Sequence, residues 1–287
     1  MRLGVTGASG RVGRFVVADA LARGAEVTVL GRRRPGPGMF PGPVAFRPHD
    51  LAGDAPVLDG LDAVVHCAFL HVPGRYRGGE GDDPDGFRSA NLGGLARLIA
   101  AGRDAGLRRM VFLSSRAVYG RQPPGARLNE TTGCHPDSLY GEVKLEAERM
   151  LGESGLNAVS LRATGVYGPA GPGERHKWAD LFDAFARGEA VAPRVGSEVH
   201  GADVAAAVRL ALTRLAPGVY NVSDILLDRA DLLALWSEMS GVAGRIPDCA
   251  PGAGAFNEMD CTRLRSAGWA PGGRALLRRT LADLAGG

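Results

Sequence analysis

The fold is decided by one stretch near the N-terminus, Leu3-Gly4-Val5-Thr6-Gly7-Ala8-Ser9-Gly10-Arg11-Val12-Gly13. Its first four residues have the pattern of a short apolar strand, and residues 15–21 continue with helical periodicity. A strand, a glycine-rich turn and a helix in this order are typical of a dinucleotide-binding loop, in which the backbone approaches the pyrophosphate closely and the helix N-terminus favours its negative charge. The predicted cofactor-binding residues of this loop are Gly7, Ser9, Gly10, Arg11, Val12 and Gly13.

The second strand pattern, Glu26 to Leu30, ends without the acidic residue that usually binds the ribose hydroxyls of NAD. Gly31 and three arginines follow instead. Arginines at this point suit a 2′-phosphate, so the sequence predicts NADP as the cofactor, with NAD as the alternative. Arg32 and Arg33 are the predicted binding residues, and a solvated basic turn is the other interpretation of the same run.

Three further strand patterns are each followed by candidate ligand-binding residues at the carboxyl end of the strand. They lie at residues 44–48, 62–68 and 110–115, and the last two are the near-continuous apolar runs of a buried parallel sheet. Ligands of such sheets bind at the carboxyl ends of the strands. The sequence therefore predicts an α/β fold with a doubly wound parallel sheet. Candidate cofactor-binding residues at its edge are Asp50, Leu51, Cys67, Ala68 and Ser114.

Tyr140 and Lys144 are the predicted proton-transfer pair. Four residues apart on a helix, they share one face. A tyrosine with a pKa of about 10 is a poor base near neutral pH, and a nearby ammonium favours its phenolate. Ser115, at a strand end, is the candidate third partner, and Asp137 or Ser138 caps the predicted helix at residues 139–152.

Several charged or polar residues are weaker candidates for the substrate site. They lie in loops, including the glycine-rich segment at residues 73–86, where solvated charge is the alternative interpretation. His200 either lines the pocket or satisfies a buried backbone group, and Asn91, on a helix predicted over 87–105, is a candidate for ordering the cofactor site. The substrate candidates are Arg75, Tyr76, Arg116, Arg175 and His200.

Composition narrows the functional classes. A net charge of +3 is too small to indicate nucleic-acid binding, and no apolar run approaches the length of a membrane span. The four cysteines lack metal-ligand spacing, so we expect no metal and free thiols in a reducing cytoplasm. The N-terminus enters a strand pattern directly, and we expect no signal peptide.

Taken in order, these landmarks resemble the extended short-chain dehydrogenase/reductase family, the NAD-dependent epimerase/dehydratase group. The resemblance rests on the glycine loop, residues 114–120 and the Tyr140-x-x-x-Lys144 pair, with later matches at residues 162–169, 200–204 and 220–222. It implies a Rossmann-type sheet with a small C-terminal substrate lobe and a homodimer formed through the helices of Asn91 and Tyr140. The implied division is residues 1–165 plus 198–222 for the dinucleotide domain, and 166–197 plus 223–287 for the lobe.

The same resemblance assigns roles within the site. Tyr140 is the implied acid/base, Lys144 binds the nicotinamide ribose and lowers the tyrosine pKa, and Ser115 bonds the reacting oxygen. Val166 is an implied cofactor contact.

Two departures from the family pattern bear on the reaction. Gly165 stands where sugar-nucleotide members usually have asparagine, which disfavours a nucleotide-diphosphate sugar, and Arg116-Ala117 replaces the acidic pair of the dehydratases. We therefore expect an NAD(P)-dependent oxidoreductase acting on a sugar-like or other small hydroxyl/keto substrate. The alternatives are a sugar or nucleotide-sugar epimerase with tightly bound NAD(P), and a non-enzymatic nucleotide sensor.

Overall fold

A computed structural model describes residues 1–72 and 78–286. Within these residues the strands are β1 (Arg2–Thr6), β2 (Glu26–Gly31), β3 (Ala45–Pro48), β4 (Ala63–His66), β5 (Arg109–Ser115), β6 (Ala158–Ala163), β7 (Gly165–Tyr167), β8 (Val195–His200), β9 (Gly218–Val222) and β10 (Ile225–Asp228). The α-helices are α1 (Gly13–Ala22), α2 (Pro84–Arg88), α3 (Gly94–Asp104), α4 (Leu139–Glu153), α5 (Ala179–Ala186), α6 (Gly201–Thr213), α7 (Arg229–Ser240), α8 (Thr262–Ser266) and α9 (Gly273–Gly286).

Seven strands form one parallel sheet in the order β3-β2-β1-β4-β5-β6-β9. Strands β2 and β3 lie on one side of β1, and β4 and the later strands lie on its other side. The carboxyl ends of β1 and β4 are therefore the topological switch point, where a ligand binds in sheets of this kind. This architecture confirms the predicted Rossmann-type fold.

The core lies on both faces of this sheet, and β5 shows why. Successive side chains of a strand point to opposite faces. Val111 and Leu113 accordingly pack into the cluster that contains residues of α1 and α6, whereas Met110 and Phe112 pack into the cluster that contains residues of α3 and α4. Because both faces are covered by helices, the strand reads as an unbroken apolar run.

A smaller sheet extends beyond the carboxyl end of β6. Its order is β10-β8-β7, with β7 parallel and β10 antiparallel to β8. Helices α5, α7 and α9 pack beside it around an aromatic and aliphatic cluster that includes Trp178, Phe182, Trp236 and Leu277. Strands β7, β8 and β10 and helix α9 were not predicted from the sequence. The proposed domain boundary at residues 197/198 falls inside β8, and the division into two units stays a prediction.

The predicted helix over residues 87–105 is interrupted. The chain forms α2, then a π-helical turn at Ser89–Gly93, and then α3. π-Helical turns frequently occur at functional sites, and Asn91 lies on this one. None of the helices in the described part of the chain is long and apolar enough to span a bilayer.

Candidate active site

The glycine loop lies tightly against the end of β4. Gly7 has a φ of 61°, and a Cβ added there would lie 2.6 Å from the backbone nitrogen of Ala68. At Gly13 an added Cβ would lie 2.8 Å from the Cα of Ala8. Both positions therefore require glycine, and the loop closes with a hydrogen bond from Gly10 N to Gly7 O at 3.0 Å. Arg11 and Ser9 are exposed on this loop, and Val12 is half-buried.

A hydrogen bond between side chains links the end of β1 to the end of β4. Thr6 Oγ1 lies 2.7 Å from His66 Nδ1, and the backbone nitrogen of Ala68 donates to the same hydroxyl at 3.1 Å. Burial lowers the pKa of His66 to about 3, so this imidazole is neutral. The neighbouring Cys67 thiol has a pKa raised by burial to about 12 and stays protonated.

Lys144 occupies the centre of the site. Its Nζ donates to the Leu113 carbonyl at 2.7 Å and lies 4.0 Å and 4.6 Å from the ring centroids of Phe69 and Phe112. The same nitrogen is 5.8 Å from the ring centroid of Tyr140, whose ring contacts Phe69 edge-on at 5.2 Å. Burial lowers the pKa of Lys144 to about 7.

Ser115 lies at the end of β5, the strand on which α4 packs through Lys144. Ser115 caps the short 3₁₀ turn Arg116–Tyr119, with Oγ accepting from Ala117 N at 3.2 Å. Helix α4 begins against that turn, since a Cβ on Gly141 would lie 2.5 Å from Ala117 O. Ser138, one of the two predicted caps, accepts from Gly141 N at 3.3 Å. The elements that carry the predicted Ser115, Tyr140 and Lys144 thus pack together at the carboxyl end of β5, and the assignment of these residues stays a prediction.

A buried carboxylate holds the two elements in this position. Glu148, one turn beyond Lys144 on α4, accepts a hydrogen bond from Ser114 Oγ. It also pairs with Arg162 of β6 through Nη2 at 2.7 Å and Nε at 3.0 Å. Both side chains of the ion pair are about 5% exposed or less. Ser114, predicted as a cofactor contact, therefore directs its hydroxyl into the structure beneath the site.

The predicted adenosine end of the site is polar and open. Arg32 and Arg33 are exposed directly after β2. Asp50 is exposed, and its Oδ1 accepts from Ala52 N at 3.1 Å. Leu51 is buried, and its carbonyl accepts from Arg97 at 2.6 Å.

Asn91 contacts the chain that leaves β4. Its Oδ1 accepts from Leu70 N at 2.8 Å, and its Nδ2 donates to the carbonyls of Leu70 and Phe87 at 3.0 Å and 2.9 Å. The amide thereby fixes the segment that carries Phe69, the residue packed on Tyr140 and Lys144. The hydrogen bonds of the Asn91 side chain in the structure are to backbone groups of Leu70 and Phe87. Its predicted contact with the cofactor stays a prediction.

The weaker substrate candidates lie in different elements, and Arg175 lines a cleft together with Arg11 and Val166. Arg116 donates to Asn257 O at 2.8 Å, and exposed Arg175 pairs with Asp180 at 2.8 Å and also with Asp183. His200 caps α6 by accepting from Ala202 N at 3.1 Å. Burial lowers the pKa of His200 to about 4. The bond to Ala202 N is a backbone contact of the kind predicted as one of its two roles, and the pocket role stays a prediction. Arg75 and Tyr76 lie outside the described residues.

The arrangement fits a dinucleotide. The two crowded glycines let the loop pack closely on backbone at the switch point, and helix α1 begins at Gly13, directly after the loop, so its N-terminal N–H groups are available to a phosphate. Val166, on β7, lines a cleft together with Arg11, which places it beside the loop. Among residues 1–72 and 78–286, no group of three or more His, Cys, Asp or Glu residues is placed to hold a metal ion.

Comparison with known proteins agrees with this geometry. Residues 3–223 match the NAD dependent epimerase/dehydratase family. The chain belongs to this family.

Individual relatives include both epimerases and a dehydrogenase. The dTDP-6-deoxy-L-talose 4-dehydrogenase (NAD(P)(+)) of Kitasatospora kifunensis is 32% identical, and the match covers 99% of this chain and 94% of that protein. The UDP-glucose 4-epimerase of Lacticaseibacillus casei is 30% identical over 71% of this chain and 64% of its own length. The UDP-glucose 4-epimerase of Thermus thermophilus, solved in complex with NAD, is 30% identical with a TM-score of 0.80, covering 100% of this chain and 99% of that one.

In this epimerase/dehydratase family member, three further residues lie at the candidate site that were not predicted from the sequence. Thr6 and His66 bind each other across β1 and β4, and Phe69 covers Lys144. The sequence feature that could have identified them is their position, because each lies at or just after the end of a predicted strand. The interaction partners become visible only when the strands are placed side by side.

Proposed function

We propose that the chain is an NAD(P)-dependent oxidoreductase that transfers a hydride between a nicotinamide cofactor and a sugar-like or other small hydroxyl/keto substrate. The observation that carries this proposal is the packing of α4, which bears Tyr140 and Lys144, against the carboxyl end of β5, where Ser115 lies. Lys144 Nζ donates to the Leu113 carbonyl of β5, and Gly141 of α4 packs on Ala117, two residues after Ser115.

The chain's own residues would transfer the proton. A nicotinamide cofactor, when bound, supplies the hydride acceptor or donor. In the oxidative direction the substrate C–H electrons leave as hydride, and the hydroxyl proton passes to the Tyr140 phenolate while Ser115 bonds the same oxygen. Lys144 in its ammonium form would favour that phenolate. Phe69 and Phe112 keep water from the ammonium and so strengthen its influence.

The test is turnover of NADPH and NADH with a panel of hydroxy-carbonyl compounds. Tyr140→Phe should lower the rate about 10²- to 10⁴-fold, because the acid/base is removed. Tyr220→Phe is the matched control; it removes a hydroxyl that donates to Ala216 O at 3.1 Å, outside the site. Equal, measurable rates for wild type and Tyr140→Phe would refute the assignment of Tyr140, whereas cofactor binding without turnover of any panel compound by the wild type would support the nucleotide-sensor alternative.

An epimerase is the second candidate, favoured by the NAD-bound epimerase that matches nearly the whole chain. An epimerase retains its cofactor and returns the hydride to the other face of the substrate carbon. Cofactor that remains with the purified protein, together with isomer interconversion without net change in NADPH or NADH, would favour it. Stoichiometric release of oxidised or reduced cofactor favours the oxidoreductase.

For the cofactor we propose NADP, supported by the absence of an acid after β2 and by the exposed Arg32 and Arg33. Replacing both arginines with alanine should reduce kcat/KM for NADPH at least tenfold and leave kcat/KM for NADH within about threefold, because only NADPH carries the 2′-phosphate. A preference for NADH in the wild type would overturn the NADP assignment.

We also propose a homodimer through α3 and α4. Support comes from Ala96 and Ala100, which are exposed one turn apart on α3 and allow a second helix to approach closely. Light scattering after size exclusion should give twice the chain mass, and Ala96→Glu/Ala100→Glu should give a monomer. Ala275→Glu, on exposed α9 surface, is the control expected to stay dimeric.

A cytoplasmic location is proposed from the cysteines. Cys67, Cys134, Cys249 and Cys261 are free in the structure, as expected in a reducing compartment. Labelling with a thiol reagent in denaturant should find four thiols in protein isolated without reductant.

A further inference from the structure

A cavity between α1 and α6 lies at the edge of the sheet opposite the candidate active site. Its volume is about 220 Å³, and the buried side chains of Leu3, Val16 and Val208 line it. Ala25, just before β2, lines it as well. The cavity is therefore at the amino ends of β1 and β2. A strand rises about 3.3 Å per residue, so Leu3 is about 13 Å along β1 from Gly7 of the glycine loop.

Small side chains on the two facing helices leave this space. Ala20 of α1 and Ala205 of α6 line the cavity, and each lies at helical spacing from a valine that also lines it, Val16 or Val208. The same helices contribute to the main core cluster. A larger apolar side chain at an alanine position would occupy the cavity, and the packed helices on either side hold its shape.

One carboxylate and two guanidinium groups belong to residues that line the same cavity. Asp19 Oδ1 accepts from Arg209 Nη1 at 2.5 Å and from Arg23 Nε at 3.4 Å. Among residues 1–72 and 78–286, neither arginine has a second acidic partner. A guanidinium carries five N–H donors, so both arginines keep donors that Asp19 does not use. The polar side of the cavity therefore has one positive charge in excess.

We propose that this cavity is a binding site for a small aromatic monocarboxylate, separate from the candidate active site. The aromatic ring would lie between the apolar faces of α1 and α6. The carboxylate would accept hydrogen bonds from Arg23 and Arg209 and balance the excess charge, and such charge-assisted bonds are among the strong ones. The site does not depend on the reaction that the chain catalyses.

The size of the cavity sets the size of the ligand. An apolar cavity of about 150 Å³ holds a benzene molecule. A cavity of about 220 Å³ therefore admits one aromatic ring with a short linker to the carboxylate. A rigid ring also loses less conformational freedom on binding than an alkyl chain of the same size.

The first experiment asks whether both the ring and the charge are recognised. By calorimetry, the full chain should bind 3-phenylpropionate at least about tenfold more tightly than 3-phenylpropanol, which lacks the charge, and than propionate, which lacks the ring. The affinity should be the same with and without saturating NADPH. Failure to bind the acid, equal affinities for the acid and the alcohol, or competition with NADPH would each overturn the proposal.

The second experiment changes the charges in opposite directions. Arg209→Met and Arg23→Met should each weaken binding of the acid at least about fivefold and leave binding of the alcohol within about twofold, because only the acid uses the guanidinium groups. Asp19→Asn removes the competing carboxylate, so it should strengthen binding of the acid at least about threefold. General damage to the fold cannot produce this reversal.

Arg149→Met is the matched control for the arginine variants, because Arg149 is exposed on α4 and pairs with Glu146. Its affinity for the acid should equal that of the wild type. An equal loss in Arg149→Met, or weaker binding of the acid by Asp19→Asn, would show that the excess charge at Asp19 does not select the ligand.

The third experiment places the ligand in the cavity. Ala20→Leu and Ala25→Leu each put a larger side chain into it, and each should weaken binding of both the acid and the alcohol at least about tenfold. The second variant guards against a folding defect in the first, and Ala275→Leu, on exposed α9 surface, should bind both as the wild type does. Acid binding that is unchanged in both filled variants would overturn the assignment to this cavity.

Discussion

Lys144 combines two properties that oppose each other. As an ammonium it supports the Tyr140 phenolate, but its 4% exposure makes that charge costly. Burial lowers its pKa from the ordinary value of 10.5 to about 7. The folded chain therefore binds this proton less tightly than the unfolded chain. The destabilisation is complete below about pH 7 and is relieved as the pH rises from about 7 toward 10.5.

Lys144→Met should reveal this cost directly. The variant loses the charge and keeps the apolar stem, so near pH 6.5 it should be more stable than wild type. That advantage should shrink by about 3 kcal/mol by pH 9.5, where wild-type Lys144 is neutral in the folded chain. Denaturant unfolding at the two pH values measures the difference, and turnover should fall about 10²-fold. A stability difference independent of pH would contradict the shifted pKa.

Glu148 is the residue whose loss should cost the fold most at this site. Glu148→Gln leaves Arg162 as an uncompensated buried charge, and we expect a loss of about 3–5 kcal/mol in the free energy of unfolding. Glu146→Gln, on the same helix, breaks only an exposed pair with Arg149 and should change stability by less than about 0.5 kcal/mol. Similar losses for both variants in urea unfolding would show that burial of the pair is unimportant.

Among the elements, the glycine loop has the narrowest steric tolerance. Gly7 and Gly24 both have positive φ, 61° and 73°. Only at Gly7 would a Cβ meet backbone, whereas at Gly24 nothing lies within 4 Å. The two positions separate backbone strain from close approach.

Gly24→Ala should therefore cost about 1 kcal/mol, the strain of a left-handed residue. Gly7→Ala should cost at least about 1 kcal/mol more, because the ends of β1 and β4 must separate, and cofactor affinity should fall at least tenfold. Chemical unfolding and quenching of intrinsic fluorescence by NADPH measure the two effects. Equal stability of the two variants would argue against the close packing of Gly7 on Ala68.

At the scale of the whole molecule, the small sheet is joined to the large one by very little chain. Only Thr164 separates β6 from β7. Trp269 belongs to the main core cluster, and its indole nitrogen donates to Asp203 O of α6 at 2.8 Å. The helix α9 that follows packs Leu277 into the cluster of the small sheet. Because of these connections, we expect the large sheet and the small sheet to unfold together in one cooperative transition.

Leu277→Ala tests that cooperativity. Leu277 is fully buried, so the cavity should cost about 2–5 kcal/mol. Far-ultraviolet circular dichroism reports the whole chain, and tryptophan fluorescence is weighted toward Trp178 and Trp236 of the small-sheet cluster. Both probes should shift to lower denaturant by the same amount. Two separate transitions would show instead that the lobe unfolds independently.

Most of the large sheet could be predicted from sequence because its strands have clear local patterns. Residues 62–68 and 110–115 are apolar runs, and glycines mark the turn after β1. The predicted helix at residues 139–152 agrees with α4 to within one residue. The small sheet could not be predicted in this way. β7 is three residues long, and β8, with the sequence Val-Gly-Ser-Glu-Val-His, shows no regular alternation.

The sequence by itself determined the family and the parallel sheet and marked Ser115, Tyr140 and Lys144 as candidates, because strand and helix periodicities and glycine turns are properties of neighbouring residues. Tertiary structure alone decided what surrounds them. Ser114 meets Glu148 across 34 positions, and Lys177 meets Glu198 across 21. Such pairs form only when a strand end, a helix and a loop dock in one register. No local pattern encodes that register, so the neighbours of the predicted site, and the cavity between α1 and α6, became visible only in the folded chain.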